Sequence, residues 1–435
     1  MKPTQIRFLI FACLVILSIG LVFNHPWLFK LIIGPFYFGD PLFLDMHGQL
    51  ASAQAWSEGF DVLNNPNPLD ILHRRHIGPT WMLLMGHLGL GVRHTGILAV
   101  TSILGVIAIG LALFNPKNWR EVFLGWLALS SPSVLFGFER ANIDITLFCV
   151  LCLAAFIAAQ ATEGEKTKGW MGWLAWSIIA INIGFKYFPA AAFVVLAHER
   201  WGWRRFAQFT LAGSIACAVY AMTHWQEIQW VKGQVSSEPA HLQFGGSMFL
   251  QLIGVHENKV FLLCVGLVGL ILLIGAMLAA RSRIRLPHST EWPGTFFLLS
   301  ASTVIFCFTT SSNFEYRLVF LLPAFPLLIR TLSDKKHPTY IRIPYILTLC
   351  LLYFQMWSDA AYFFTTYDPE TARWNEQLST EFLLLKNSLS WVLIILLAWI
   401  MTFVLYPRLD GLFKSWKSEH RLKLKNKHAT PGQNL

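Results

Sequence analysis

The sequence predicts an all-α fold, a polytopic transmembrane helix bundle of about twelve spans with a large extracytoplasmic first loop containing interfacial helices. Three observations predict it. The 435 residues are 55% hydrophobic and 13% charged, with mean hydropathy +0.50, whereas a soluble domain carries about a quarter charged residues. Apolar runs near the roughly 20 residues a spanning helix needs recur along the chain. The basic residues cluster between those runs. Such a composition excludes a cytosolic enzyme, a disordered scaffold and a disulfide-stapled secreted module. The net charge of +10 reads as membrane orientation, with no nucleic-acid partner implied.

The first run, Arg7 to Phe23, follows a short basic start and lacks a small-residue cleavage site, so it reads as an uncleaved first helix. Further spans are expected near 95–114, 119–137, 143–160, 170–185, 187–198, 205–223, 259–280, 293–310, 316–331, 342–364 and 383–406. Gly78 to Leu90 is short and interrupted by glycines, so a re-entrant or interface-lying helix is expected there. With both termini cytoplasmic, 23 of the 34 basic residues and 8 of the 24 acids lie inside, the bias of the positive-inside rule. The outer segments are 24–94 and 224–258. The chain divides into a catalytic transmembrane module at 1–331, C-terminal helices at 332–406 and a basic cytoplasmic tail at 407–435. No internal or inverted repeat is visible, which argues against a secondary transporter.

All seven cysteines, from Cys13 to Cys350, fall in apolar stretches and read as structural thiols. Cys149 and Cys152 lack the second pair of a zinc site. Nine histidines in the outer loops show no His-Glu-x-x-His pattern, so no metal is expected.

Ionisable residues at span ends cost free energy unless paired or functional, and four outer groups stand out. Asp40 and Asp45 follow span one. Asp45 opens a helix rich in alanine, where the helix dipole favours a carboxylate and where a general base toward an incoming hydroxyl would sit; its structural alternative is a helix cap. The turn Glu139-Arg140-Ala141-Asn142-Ile143-Asp144 holds two acids, a cation and an amide, with a Glu139–Arg140 ion pair and an Asp144 cap as the bland reading. Lys186, in Phe185-Lys186-Tyr187-Phe188-Pro189, either snorkels or meets a lipid phosphate. Glu315-Tyr316-Arg317 offers a guanidinium clamp for phosphate, with Glu315 holding Arg317 in place. His76 belongs to a cationic patch, His73-Arg74-Arg75-His76.

The order of these motifs resembles the GT-C superfamily of membrane glycosyltransferases, and within it the polyprenol-phosphate-mannose-dependent α-1,2-mannosyltransferase-like proteins. The resemblance rests on Asp45 and its helix through Gly59-Phe60-Asp61-Val62-Leu63, the Glu-Arg-x-Asn-x-Asp turn, the Lys-aromatic-x-Pro turn, and Tyr316-Arg317 followed by Leu-Val-Phe-Leu-Leu-Pro. Leu63 replaces the usual aromatic, and Ile77-Gly78-Pro79 retains only the second proline of the usual Tyr-Pro-Pro. The resemblance implies an inverting transfer of a sugar, such as mannose, from a polyprenyl-phosphate-linked donor. Asp45 would be the general base, and Lys186, Arg317 and Arg140 would bind the donor phosphate. Glu139, Asn142, Asp144, Glu315, Tyr316 and His76 would contact substrate. No cofactor is required. The partners implied are a lipid-linked sugar donor, a glycan, glycolipid or protein acceptor, and membrane lipid. A transporter or flippase of a lipid-linked saccharide is the competing class, but it would place its polar residues at mid-membrane depth.

Overall fold

The computed structural model describes residues 2–33, 42–163, 167–234, 243–246, 249–250, 254–255, 257–282, 286, 288–310, 313–334, 339–368, 373–374 and 376–428. They form an all-helical bundle whose only sheet among the described residues is two antiparallel two-residue pairings, Gln243–Phe244 with Asn313–Phe314 and Tyr367–Asp368 with Arg373–Trp374. The helices are α1 Pro3–Asn24, α2 Pro26–Ile33, α3 Leu44–Ser57, α4 Leu84–His87, α5 Thr95–Phe114, α6 Trp119–Leu129, α7 Pro132–Arg140, α8 Ile143–Thr162 and α9 Gly169–Ile183. They continue with α10 Gly202–Thr223, α11 Trp225–Gln234, α12 Glu257–Ser282, α13 Trp292–Thr310, α14 Phe325–Ser333, α15 Thr339–Thr366 and α16 Glu376–His428.

Eight helices among the described residues are long and apolar enough to cross a membrane, or nine if the bent pair α6–α7 is one span. Each of the twelve expected spans has a helical counterpart, but not all are full length. Residues 170–185 yield the 15-residue α9. The expected span at 187–198 is a nine-residue 3-10 helix, Phe188–Leu196, opened by Pro189. Residues 78–90 break into a 3-10 turn, Thr80–Leu83, and the single turn α4, so this stretch does not span.

Burial sorts the helices into layers. Most of α13 is buried, as is the following 3-10 helix Glu315–Ala324 that leads into α14, whereas α1, α10 and α12 bury few of their side chains. A helix apolar on every side has lipid as its outer solvent. Two thiols join that outer layer, since Cys13 and Cys350 are exposed.

Local signals place the chain where the site needs it. Pro132 at the first position of α7, after Ser130-Ser131, breaks the third span and bends it by 43°, as a residue lacking a backbone donor does. Ala141 then takes a left-handed conformation, and Asn142 caps α8 by accepting the backbone N–H of Asp144 at 3.1 Å. Phe43, also left-handed at φ 66°, precedes α3 and donates its N–H to the Glu139 carbonyl at 2.8 Å. Two non-glycine residues in this strained region flank one spot, the kind of place where strain marks function.

Candidate active site

Asp45 sits in the first turn of α3, with its side chain 12% exposed. It does not cap the helix. Arg140 Nη2 donates to its Oδ1 at 2.6 Å, Asn142 Nδ2 donates to its Oδ2 at 2.9 Å, and Arg74 Nη1 lies 3.5 Å from Oδ1. The end of α7, the cap of α8 and the first loop therefore all grip this carboxylate.

Asn142 Nδ2 also donates to Tyr316 Oη at 3.1 Å, which joins the Asp45 group to the start of the 3-10 helix. There Arg317 Nε donates to Asp144 Oδ2 at 2.7 Å, while Lys186 Nζ stands 3.9 Å from Asp144 Oδ1. Asp144 is fully buried, and Lys186 and Arg317 keep 18% and 17% of their side chains exposed. A buried carboxylate between two cations orients both, since removing it would take the same counter-charge from each. Arg317 is steadied further by the Phe188 ring, 5.7 Å from its guanidinium carbon. Burial pulls the Lys186 ammonium below its ordinary value, and the Asp144 charge offsets only part of that.

The sequence-level partners are rearranged in three places. Arg140 pairs with Asp45, and Glu139 lies fully buried with neither carboxyl oxygen hydrogen-bonded. Asp144 holds Arg317 while Asn142 supplies the cap. Glu315 does not hold Arg317; it is buried against Lys386 of α16. A side chain 71 residues further along the chain, ten residues into α16, carried no local signal of that pairing.

Arg74 is the functional neighbour that the sequence did not single out. Its guanidinium makes a two-pronged pair with Asp70, Nε to Oδ2 at 2.8 Å and Nη2 to Oδ1 at 3.0 Å, and Nη2 also donates to the Leu44 carbonyl at 2.9 Å. Gly48 makes this possible, because a Cβ there would collide with the Arg74 guanidinium. Burial works to raise the Asp70 pKa, but the Arg74 hydrogen bonds and charge outweigh it and hold the carboxyl below its ordinary value. His76 is buried nearby, its Nε2 3.4 Å from the Pro79 carbonyl, and burial together with the Lys186 charge pushes its pKa down to about 4. It is thus a neutral ring beside the cluster, not part of a cationic patch.

Asp45, Arg140, Asn142, Asp144, Lys186, Tyr316 and Arg317 are brought together from four remote segments. Glu139 and His76 border them, and Glu315 faces away toward α16. Asp40, His241 and His256 lie outside the described residues. Among the described residues, no group of three or more His, Cys, Asp or Glu side chains is placed to hold a metal ion.

No family model matches the chain, and no curated protein matches it. A solved structure, the crystal structure of ArnT from Cupriavidus metallidurans in the apo state, is similar with a TM-score of 0.37 and 14% identity, over 85% of this chain and 72% of that one. A likeness that small fixes no function, and the chemistry of the cluster follows from its own residues.

Proposed function

We propose that the protein is an integral-membrane glycosyltransferase of the GT-C type that moves a sugar, mannose in the branch it resembles, from a polyprenyl-phosphate donor to an acceptor hydroxyl on the extracytoplasmic side. The observation that supports this is the convergence of a helix-opening carboxylate with Arg140, Lys186 and Arg317 at one end of the bundle. Both termini are cytoplasmic in this reading. Asp45 takes the proton of the acceptor hydroxyl as its oxygen bonds to the anomeric carbon from the face opposite the phosphate. The bond from that carbon to the phosphate oxygen breaks, giving inversion and a polyprenyl phosphate. Lys186 and Arg317 meet the negative charge that grows on the departing phosphate, with Arg140 at the boundary between the two groups. A carboxylate offers about four lone-pair positions, so the donors on Asp45 leave it room for a substrate proton. Asn142, Tyr316, Glu139 and His76 shape the space around it.

The test is a reconstituted transfer assay with polyprenyl-phosphate sugars, comparing wild type with Asp45→Asn. Loss of a general base costs on the order of 10²–10⁴ in rate, with donor binding retained. Full activity in Asp45→Asn would remove Asp45 as the base. Uptake of the lipid-linked sugar without transfer would make the protein a transporter.

A further inference from the structure

Helix α16 runs on past the bundle. Its 53 residues extend about 80 Å at the α-helical rise, whereas a bilayer core is about 30 Å thick. The apolar span closes near Tyr406, and Pro407, which has no backbone N–H to give, stands where the sequence turns charged. This end of the bundle lies away from Asp45. Asn142, which holds Asp45, caps the start of α8, while Thr162 at the far end of α8 accepts from Arg200 Nη1 at 2.8 Å, just before α10.

The extension is fixed to the bundle along one face. Fully buried Arg408 donates to the Ser289 carbonyl from Nε at 3.0 Å and from Nη2 at 2.8 Å. It also reaches the Ala197 carbonyl at 3.2 Å and Thr295 Oγ1 at 3.1 Å. Gly411 lets the helix close on Glu199, with which a Cβ would collide. Further along, the Trp416 ring lies 6.4 Å from that of Trp203, and Arg204 Nε pairs with Glu419 Oε2 at 3.0 Å. Residues 408–419 are therefore held against the start of α10.

Two faces remain open. At about 100° per residue, Leu409, Phe413 and Trp416 share one stripe, and Lys414, Lys417 and Arg421 share the next. The three apolar side chains are 43%, 48% and 38% exposed, and the three cations are exposed beside them. Lys414 pairs with Asp410 at 2.6 Å, and the Lys417 ammonium lies 4.7 Å from the Phe413 ring centroid. Exposed pairs of this kind contribute little and leave the face positive. From Leu409 onward, six lysines and arginines stand against two acids.

An apolar stripe beside a basic one is the surface of a helix that lies in a membrane interface. Phe413 and Trp416 sit about 10 and 15 Å along the helix from Tyr406, and exposed Trp203 at the start of α10 joins them. Tryptophans at the ends of apolar helices mark the headgroup level. Nucleic acid would meet the charges and leave the apolar stripe in water, whereas a negatively charged bilayer surface takes both.

We propose that residues 409–421 dock on anionic phospholipid headgroups, with Leu409, Phe413 and Trp416 among the upper acyl carbons and Lys414, Lys417 and Arg421 against the headgroup charge. The surface plays no part in the transfer reaction, so it is tested without one. The full-length protein is placed in nanodiscs of equal phosphatidylglycerol and phosphatidylcholine with identical chains, and the lipids it retains on release are counted by native mass spectrometry. Phosphatidylglycerol is retained about tenfold over phosphatidylcholine at low salt. The triple variant Lys414→Gln, Lys417→Gln, Arg421→Gln loses most of that preference, and Arg421→Glu alone lowers it in the same sense. A control variant, Lys117→Gln, Arg120→Gln, Arg281→Gln, removes three exposed cations elsewhere and keeps it. Both triple variants melt at the wild-type temperature in zwitterionic detergent, because every changed side chain is exposed. Equal retention of the two lipids, an unchanged preference in the α16 variants, or equal loss in the control overturns the proposal. Displacement of phosphatidylglycerol by an equimolar single-stranded oligonucleotide or polyglutamate overturns the lipid assignment in favour of a soluble polyanion.

Discussion

His76 shows what burial does to a single titratable side chain in this loop. Its folded pKa is about 4 against 6.5 for the free side chain, so between those values the unfolded ring binds more protons than the native one. Stability therefore rises with pH through that window and falls as pH drops toward 4. That difference is worth about 3 kcal/mol in local stability of the segment between α3 and α4. Limited proteolysis of that loop between pH 7 and pH 4.5 should show cleavage accelerating on acidification, and His76→Gln should flatten the dependence. An unchanged pH slope in His76→Gln would show that another group controls it. The same residue marks the limit of reading the chain by eye. His73-Arg74-Arg75-His76 looks like one solvated patch, yet folding sends Arg74 inward to Asp45 and Asp70 and buries His76 beside Lys186. Asp45, Asp144, Lys186 and Arg317 were legible because charges at span ends are rare. Arg74 was not, because its role depends on Gly48 leaving room across α3.

Helices α3 and α4 show the same limit one scale up. The alanine-rich pattern after Asp45 announced α3, and the glycines of 78–90 announced an interrupted segment. How closely the two pack was hidden. A Cβ on Gly86 would collide with the Ala53 carbonyl of α3, and a backbone atom cannot step aside. Gly86→Ala should cost about 1–3 kcal/mol through forced displacement of α3, and with it the register of Asp45 against Arg140. Gly96→Ala is the matched control, since nothing lies within 4 Å of its Cβ at the start of α5. It should be neutral or stabilising by up to about 1 kcal/mol. Thermal melting of both variants in detergent separates the two, and equal melting temperatures would refute the close approach. The 3-10 helix Phe188–Leu196 was misjudged for a different reason. Its apolar run has the composition of a span, but Pro189 and a buried position among α9 and α13 let a short segment serve without full length.

Across the whole molecule, an ion pair links the C-terminal helix to the candidate site. Lys386 of α16 and Glu315 are both fully buried and face each other, and the two residues after Glu315 are the ones that contact Asn142 and Asp144. No local pattern joins positions 315 and 386, because the pairing depends on how late helices pack around α13. Buried pairs of this kind behave asymmetrically: removing one member strands the other, whereas removing both need cost little. Lys386→Met alone should therefore destabilise the protein by about 3–5 kcal/mol, and Glu315→Gln alone by less, since the amide keeps the shape and a hydrogen-bond acceptor where it removes the charge. The double variant should recover most of the loss. Measured as a thermal or denaturant cycle in one detergent, this gives a coupling energy well above the ~0.5 kcal/mol within which independent sites add. Additive single effects would mean that the pair is an accident of packing. Strong coupling with reduced transfer in Lys386→Met, restored in part by Lys386→Arg, would make α16 a positioning element for Tyr316 and Arg317. In that case the C-terminal helices, set apart at the sequence level as a separate region, belong to the catalytic module they pack against.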